Sequence, residues 1–440
     1  MMRLSRPLIL VVCFALGAWA QSAPPAAPQT APAAPQRLSL KDAEALALKN
    51  NPQLSVARLN ALAQQQVTRQ VRSALWPTST GYITAVEPHD NSRITAGGLN
   101  NPTVFERAAG GAFFSQLITD FGRTANLVSS ASLRAKAEDQ NAIATREQIL
   151  LAVDQSFYAA LQAQAVLKVA QQTVESRQNL TDQVEALFKS KLKSELDASF
   201  ARVNLAQAKL LLLDAQNNAK AALANLSAVL GYPTLQDFAL EESAEPIAPP
   251  PADVDRLIAH AMSLRPEILA LDFNYQSAQK FRTAERDLML PSIRALGAVG
   301  GAPARDDRIT SSWFGAVGVN VEIPIFNGFL FSARAHEADL RAQAARDLLR
   351  DLRNRISRDV RDSWLNANGA YDRMSVTRQL LDQANLALNL AQTRYNLGLG
   401  NIVELSQAQL QQTQAQISDT QAGYDYRLAL ATLRFQTTGL

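Results

Sequence analysis

Cysteine occurs once, at position 13, and histidine three times, at His89, His260 and His336. One thiol cannot form an intrachain disulfide, and the histidines are too scattered for an HExxH pair, a thiolate zinc site or a Cys-His nucleophile. Charge is also sparse: 19% of residues are Asp, Glu, Lys or Arg, and 43 basic against 40 acidic side chains leave a net charge of +3. That excess is too small to capture a nucleic-acid polyanion, so no nucleic acid is expected as a partner. Asp120-Phe121-Gly122 imitates a kinase motif, but neither a glycine-rich phosphate loop nor a catalytic-loop signature accompanies it. No enzyme chemistry, metal or cofactor is expected. Beyond residue 20 there is no uncharged apolar run of about eighteen residues, so a transmembrane helix is excluded. A membrane crossing by this chain would have to be made with strands.

The N-terminus is distinctive. Arg3 and Arg6 precede the apolar run Leu8 to Leu16, and the segment closes on Ala18-Trp19-Ala20 before Gln21. This predicts a secretory signal peptide over residues 1–20, cleaved after Ala20. Cys13 lies inside the apolar run without the small residue that lipoprotein processing places before it, so no lipid anchor is expected. Residues 21–37, nearly all Pro, Ala and Gln, predict an extended tether.

The rest of the chain matches itself. Asn51-Pro52 aligns with Arg265-Pro266, and Trp76-Pro77 with Leu290-Pro291. Farther on, Asp120 falls on Asn327, Val153 on Val360, Phe188 on Tyr395 and Asp197 on Glu404. The register changes between Pro77 and Asp120, where the first half holds extra residues, as expected of a loop. The reading is a tandem repeat, 38–230 and 252–440, joined by a Pro-rich linker over 231–251. Each half reads as a short helix, a helix ending at a proline, two strands, a very long helix, a turn and a final helix. The long helices are expected over 123–189 and 330–396, which contain no proline. At 1.5 Å per residue each is about 100 Å long.

Leu381, Ala384, Leu388, Ala391 and Tyr395 step by three and four as a heptad seam, while Leu386, Leu390 and Leu397 lie on a second stripe. Two stripes call for a neighbour on each side, as in a curved wall closed into a tube. An antiparallel helical bundle with one broad buried face also accounts for the first stripe.

Strands are expected over 79–86, 111–119, 291–299 and 314–326. The last alternates Val317, Val319, Val321, Ile323 and Ile325 with Gly318, Asn320, Glu322 and Pro324, and aromatics stand at its ends. Nine such residues span about 30 Å, the thickness of a hydrocarbon core. The apolar face can meet lipid, or it can be the buried face of a soluble sheet. Four strands cannot close a barrel, for which about eight are needed, so a lipid-facing sheet implies oligomerisation, with three chains supplying twelve strands.

The chain resembles the TolC-like outer-membrane efflux and secretion channels. The likeness rests on LSLKDAEALALKNNP from Leu38 to Pro52, ADVDRLIAHAMSLRP from Ala252 to Pro266, IPIFNG from Ile323 to Gly328 and RYNLGLGNIVELSQAQ from Arg394 to Gln409, in that order and at that spacing. It implies a mainly helical chain with a small β part. Three copies would form a homotrimer whose twelve-stranded barrel sits in outer-membrane lipid, continued by a long coiled-coil tunnel in the periplasm. The turns after the long helices would be periplasmic tips that close the tunnel and dock an adaptor (membrane fusion) protein, and through it an inner-membrane transporter. By the same resemblance, the constriction falls on Asp197, Tyr395, Glu404 and Gln407, with Gln407 where a second acid is often found. The docking tips fall on Lys189, Lys191, Lys193, Gly398, Gly400 and Asn401. Asp197 and Glu404 also suit first-turn carboxylates facing a helix dipole, and the three lysines also suit a solvated turn. Lys191 departs from the family pattern, in which glycine is usual.

The expected function is a passive exit duct of a tripartite efflux pump or type I secretion system. A non-pore periplasmic or surface coiled coil, structural or adhesive, is the alternative.

Overall fold

The computed structural model describes residues 36–87, 89, 107–242, 247–305, 307 and 310–438. The expected signal peptide and most of the tether lie outside them. Each half of the chain runs in the same order. The first half has α1 (Leu40–Asn50), α2 (Pro52–Ser73), β2 (Thr78–Val86), β3 (Arg107–Thr119), α3 (Arg123–Lys189) and α4 (Glu195–Val229). The second has α5 (Val254–Leu264), α6 (Pro266–Arg286), β5 (Ser292–Arg305), β6 (Trp313–Glu322), α7 (Leu330–Asn396) and α8 (Ile402–Thr438). A short parallel pair, β1 (Gln36–Leu38) and β4 (Phe238–Leu240), lies outside this scheme.

Local chemistry sets the joints. Ser39 caps α1 by accepting from the Asp42 amide, and Asn51 caps α2, whose first residue is Pro52. At the β3–α3 corner Phe121 and Gly122 both have positive φ, and the Asp120 carboxylate accepts from the Thr124 amide at 2.8 Å. The kinase-like triplet is therefore a strand-to-helix corner. Gly328 and Phe329 make the equivalent corner before α7.

The sheet has the order β2-β3-β5-β6, antiparallel throughout. Helices follow the same order. Beside the sheet the row is α2, α3, α6, α7, and toward the far turns it is α4, α3, α8, α7. The chain is thus a wall one element thick and four elements wide, not a bundle folded on itself. Its buried residues on α7, among them Leu349, Ile356, Val360, Ser363, Ala367, Ala370, Thr377, Ala384 and Ala391, are separated by three, four or seven positions. That spacing is the heptad signature of knobs-into-holes packing along a seam. Alanine recurs in it because small side chains let long helices approach closely. The largest apolar cluster, around Val153, Phe157, Leu226, Leu230 and Phe238, clamps α1 and the end of α4 to the middle of α3.

Four sequence expectations are corrected. The tether ends earlier than expected, because Gln36 and Arg37 pair with Phe238 and Ala239, and that pairing also places a strand inside the expected linker. Strands β3 and β5 extend toward the hairpin ends, beginning at Arg107 and ending at Arg305, through Gly- and Ala-rich segments that carry no alternation for a sequence pattern to detect. Strand β6 stops at Glu322, so Ile323 and Ile325 lie beyond it. Its partner β5 begins at Ser292, opposite Glu322, and Pro324 has no amide with which to continue a ladder.

Candidate functional site

The two turns at the far end of the wall share one backbone design. Helix α3 ends with the Lys191 amide donating to the Phe188 carbonyl and the Leu192 amide to the Leu187 carbonyl, each at 2.9 Å. Helix α7 ends with Gly398 donating to Tyr395 at 3.1 Å and Leu399 to Arg394 at 2.8 Å. Both are Schellman motifs, which require a left-handed residue just past the helix. Gly398 has φ of 74°, and Lys191 takes the same region at 60°. Lysine thus occupies a glycine conformation, at a steric cost of about 1–2 kcal/mol. Gly400 is constrained differently: an added Cβ would stand 3.3 Å from both the Arg394 Cβ and the Tyr395 nitrogen.

The helices that leave the turns are capped by different residues. Ser194 caps α4 reciprocally with Asp197: the Asp197 amide donates to the Ser194 Oγ at 3.2 Å, and the Asp197 carboxylate accepts from the Ser194 amide at 3.0 Å. Asn401 caps α8 by accepting from the Glu404 amide at 2.8 Å, and the Glu404 carboxylate pairs with Arg394 at 3.1 Å. Both candidate acids are thus first-turn carboxylates that favour the helix dipole.

Behind the turns lies an apolar cluster that includes Leu180, Val184, Ala198, Ala391, Ile402 and Leu405 and is shared by all four long elements. Tyr395 belongs to it and is 4% exposed. Its ring is covered by the Lys193 ammonium, 3.9 Å from the centroid, a cation–π contact that ties the first turn to α7. The Tyr395 hydroxyl is buried with no hydrogen-bond partner among the described residues. Its pKa is pushed up to about 12, first by burial and then by the charge of Asp197, so the phenol is neutral at any physiological pH.

The structure therefore gathers Lys193, Asp197 and Tyr395 at one point where the two turns meet. Glu404 turns to Arg394 instead. Gln407, Lys189, Lys191 and Asn401 are exposed, as is Gly398. Sequence reasoning missed the roles of Arg394 and Ser194 here. Ser194 was legible as the start of a Ser-x-x-Asp capping box, whereas no local spacing links Arg394 to Glu404. Apolar side chains stand out around both turns: Leu192, Leu196, Leu397, Leu399 and Val403 are each more than half exposed.

At the other end, Val317 is 94% exposed, and Val319, Val321, Ile323 and Ile325 are also exposed. Among the described residues, strands β2 and β6 are the two edges of the sheet and pair on one side only. Opposite the valines the sheet holds Phe314, whose ring lies over paired Gly111 and Gly300. A Cβ on Gly111 would stand 2.9 Å from the ring's Cζ and 2.8 Å from the Val299 carbonyl oxygen, which excludes any larger residue. The second stripe of α7 is bare as well, with Leu386, Leu390 and Leu397 all exposed. No helix among the described residues is long and apolar enough to cross a membrane.

An open-edged sheet continued by an open-edged helical wall is the chain fold of solved outer-membrane channels. The likeness covers 90% of this chain and 91% of CusC, with a TM-score of 0.79 at 20% identity. It covers 91% of this chain and 96% of VceC from Vibrio cholerae, with a TM-score of 0.77 at 18% identity. The family model described as outer membrane efflux protein matches residues 45–232 and 257–439, and the chain belongs to that family. Among curated relatives, the outer membrane efflux protein BepC of Brucella suis is 22% identical over 87% of this chain and 81% of its own length. The alkaline protease secretion protein AprF of Pseudomonas aeruginosa is 23% identical over 90% and 84% respectively.

Proposed function

We propose that the protein is the outer-membrane exit duct of a tripartite efflux pump or type I secretion system, a passive channel that opens at its helical tips. The carrying observation is the row of elements that ends, on both sides and at both levels, without a partner among the described residues. Backbone groups at an open sheet edge cannot persist in hydrocarbon, and the bare leucines of α7 ask for a neighbour in water. Three copies placed edge to edge satisfy both demands, joining β6 to β2 and α7 to α2 and α4 of the next copy. The result is a twelve-stranded barrel on a twelve-helix tunnel, with Val317, Val319 and Val321 toward lipid and Ile323 and Ile325 at the barrel rim. The tandem repeat is supported by the identical element order of the halves. A cleaved signal peptide delivers the chain to the periplasm, and the tunnel stands there below the outer membrane.

In the closed state, on this reading, Tyr395, Lys193 and Asp197 hold the two turns together, and Glu404 and Gln407 line the constriction. The exposed leucines and Lys189, Lys191, Gly398, Gly400 and Asn401 present the surface on which a periplasmic adaptor docks, and an inner-membrane transporter supplies the energy. Names of the relatives fit both export routes, since BepC is an efflux protein and AprF a secretion protein. Reconstitution in planar bilayers tests the proposal: stepwise conductance is expected, larger in Tyr395→Ala. Complete absence of conductance, in the variant as in the parent, would return the chain to the non-pore coiled-coil reading.

A further inference from the structure

Arg177 is a buried charge in the helical wall. It lies on α3 and is 7% exposed, yet no carboxylate lies within ion-pair distance among the described residues. Its Nη2 donates to the Gln409 carbonyl at 2.9 Å and to the Thr413 Oγ1 at 3.1 Å, both on α8. Its Nε and Nη1 have no protein hydrogen-bond partner among the described residues and are not sealed from solvent. A partly desolvated guanidinium without a counter-charge is destabilising, and burial pushes its pKa down to about 10.

The arginine borders a cavity of about 500 Å³ between α3, α4 and α8. Among the described residues no acidic side chain lines it. Thr173, Gln207 and Gln414 give it hydrogen-bonding groups, while Leu211, Leu410 and Ile417 make an apolar side. The Asn204 amide donates to Ser406 Oγ at 2.7 Å and fixes α4 against α8 at the same place. A void of this size accepts a compact organic molecule and is too small for a helix. A planar guanidinium with free donors suits a carboxylate.

We propose that this cavity is a binding site for a small amphiphilic organic anion, whose carboxylate meets Arg177 and whose apolar body rests on Leu211, Leu410 and Ile417. The wall of the tunnel then carries a ligand site of its own, away from the turns and from the barrel. The ligand supplies the charge that the fold omits, and it holds α8 against α3 through Arg177.

Equilibrium dialysis with the full-length protein in nanodiscs tests this, using 1-naphthoate and neutral 1-naphthamide as probes and empty nanodiscs as background. Saturable binding of naphthoate is expected, with naphthamide at least tenfold weaker. Arg177→Gln is expected to weaken naphthoate at least tenfold. Leu211→Trp, which fills the cavity and leaves the arginine in place, is expected to do the same. Equal affinity for the two probes, or naphthoate binding retained in either variant, would overturn the proposal. Absence of saturable naphthoate binding to the parent protein would also overturn it. A loss of adaptor affinity in Arg177→Gln would then assign the arginine to a carboxylate on a partner helix.

Discussion

The two turns at the end of the wall have the same hydrogen bonds and different chemistry. Lys191 and Gly398 hold the same left-handed position in two Schellman motifs. One turn is basic and capped by the Ser194–Asp197 pair, and the other is glycine-rich and capped by Asn401. The backbone is therefore dictated by how a long helix must end, and the side chains of the two turns are free to differ. Tyr395 couples the two, because it sits on α7 and is covered by Lys193 from the other turn.

Substitutions can break this comparison in order of size. Tyr395→Ala removes the shared buried ring and should cost about 3–5 kcal/mol, read as lost amide-exchange protection on both turns. Protection lost on α7 alone would show that the turns are independent. Gly398→Ala places a Cβ in left-handed backbone and should cost about 1–2 kcal/mol, whereas Lys191→Gly should gain up to about 1 kcal/mol. Thermal unfolding of the pair should move in opposite directions, and a common direction would contradict the shared geometry. Ser194→Ala and Asn401→Ala should each cost about 1 kcal/mol, seen as fraying at the first turn of α4 and of α8 respectively. Glu404→Gln should change stability by roughly 0.5 kcal/mol or less, since its pair with Arg394 is half-exposed and screened by solvent. A larger loss would show that Glu404 has a partner beyond this chain.

Much of this architecture is written in one dimension. The proline-free spans Arg123 to Lys189 and Leu330 to Asn396 are the residues of α3 and α7, because a helix about 100 Å long tolerates no proline in its interior. The valines of β6 alternate because the strand has two unlike faces. What escaped sequence reasoning depends on pairing across distance. The Gly- and Ala-rich ends of β3 and β5 have no pattern and become strands through their partners. Ile323 and Ile325 keep the alternation yet leave the ladder, since nothing on β5 stands opposite them. The covering of Tyr395 by Lys193 joins residues from the two halves of the chain, and no local spacing announces it. Within its own turn Lys193 is only one of three lysines.

The wall's free edges give the reading its most direct examination. Native mass spectrometry of the purified protein, released from detergent, reports how many chains share one particle. Three chains are expected, with β2 of each copy sealing β6 of the next. A particle holding a single chain, with its sheet still formed, would contradict it.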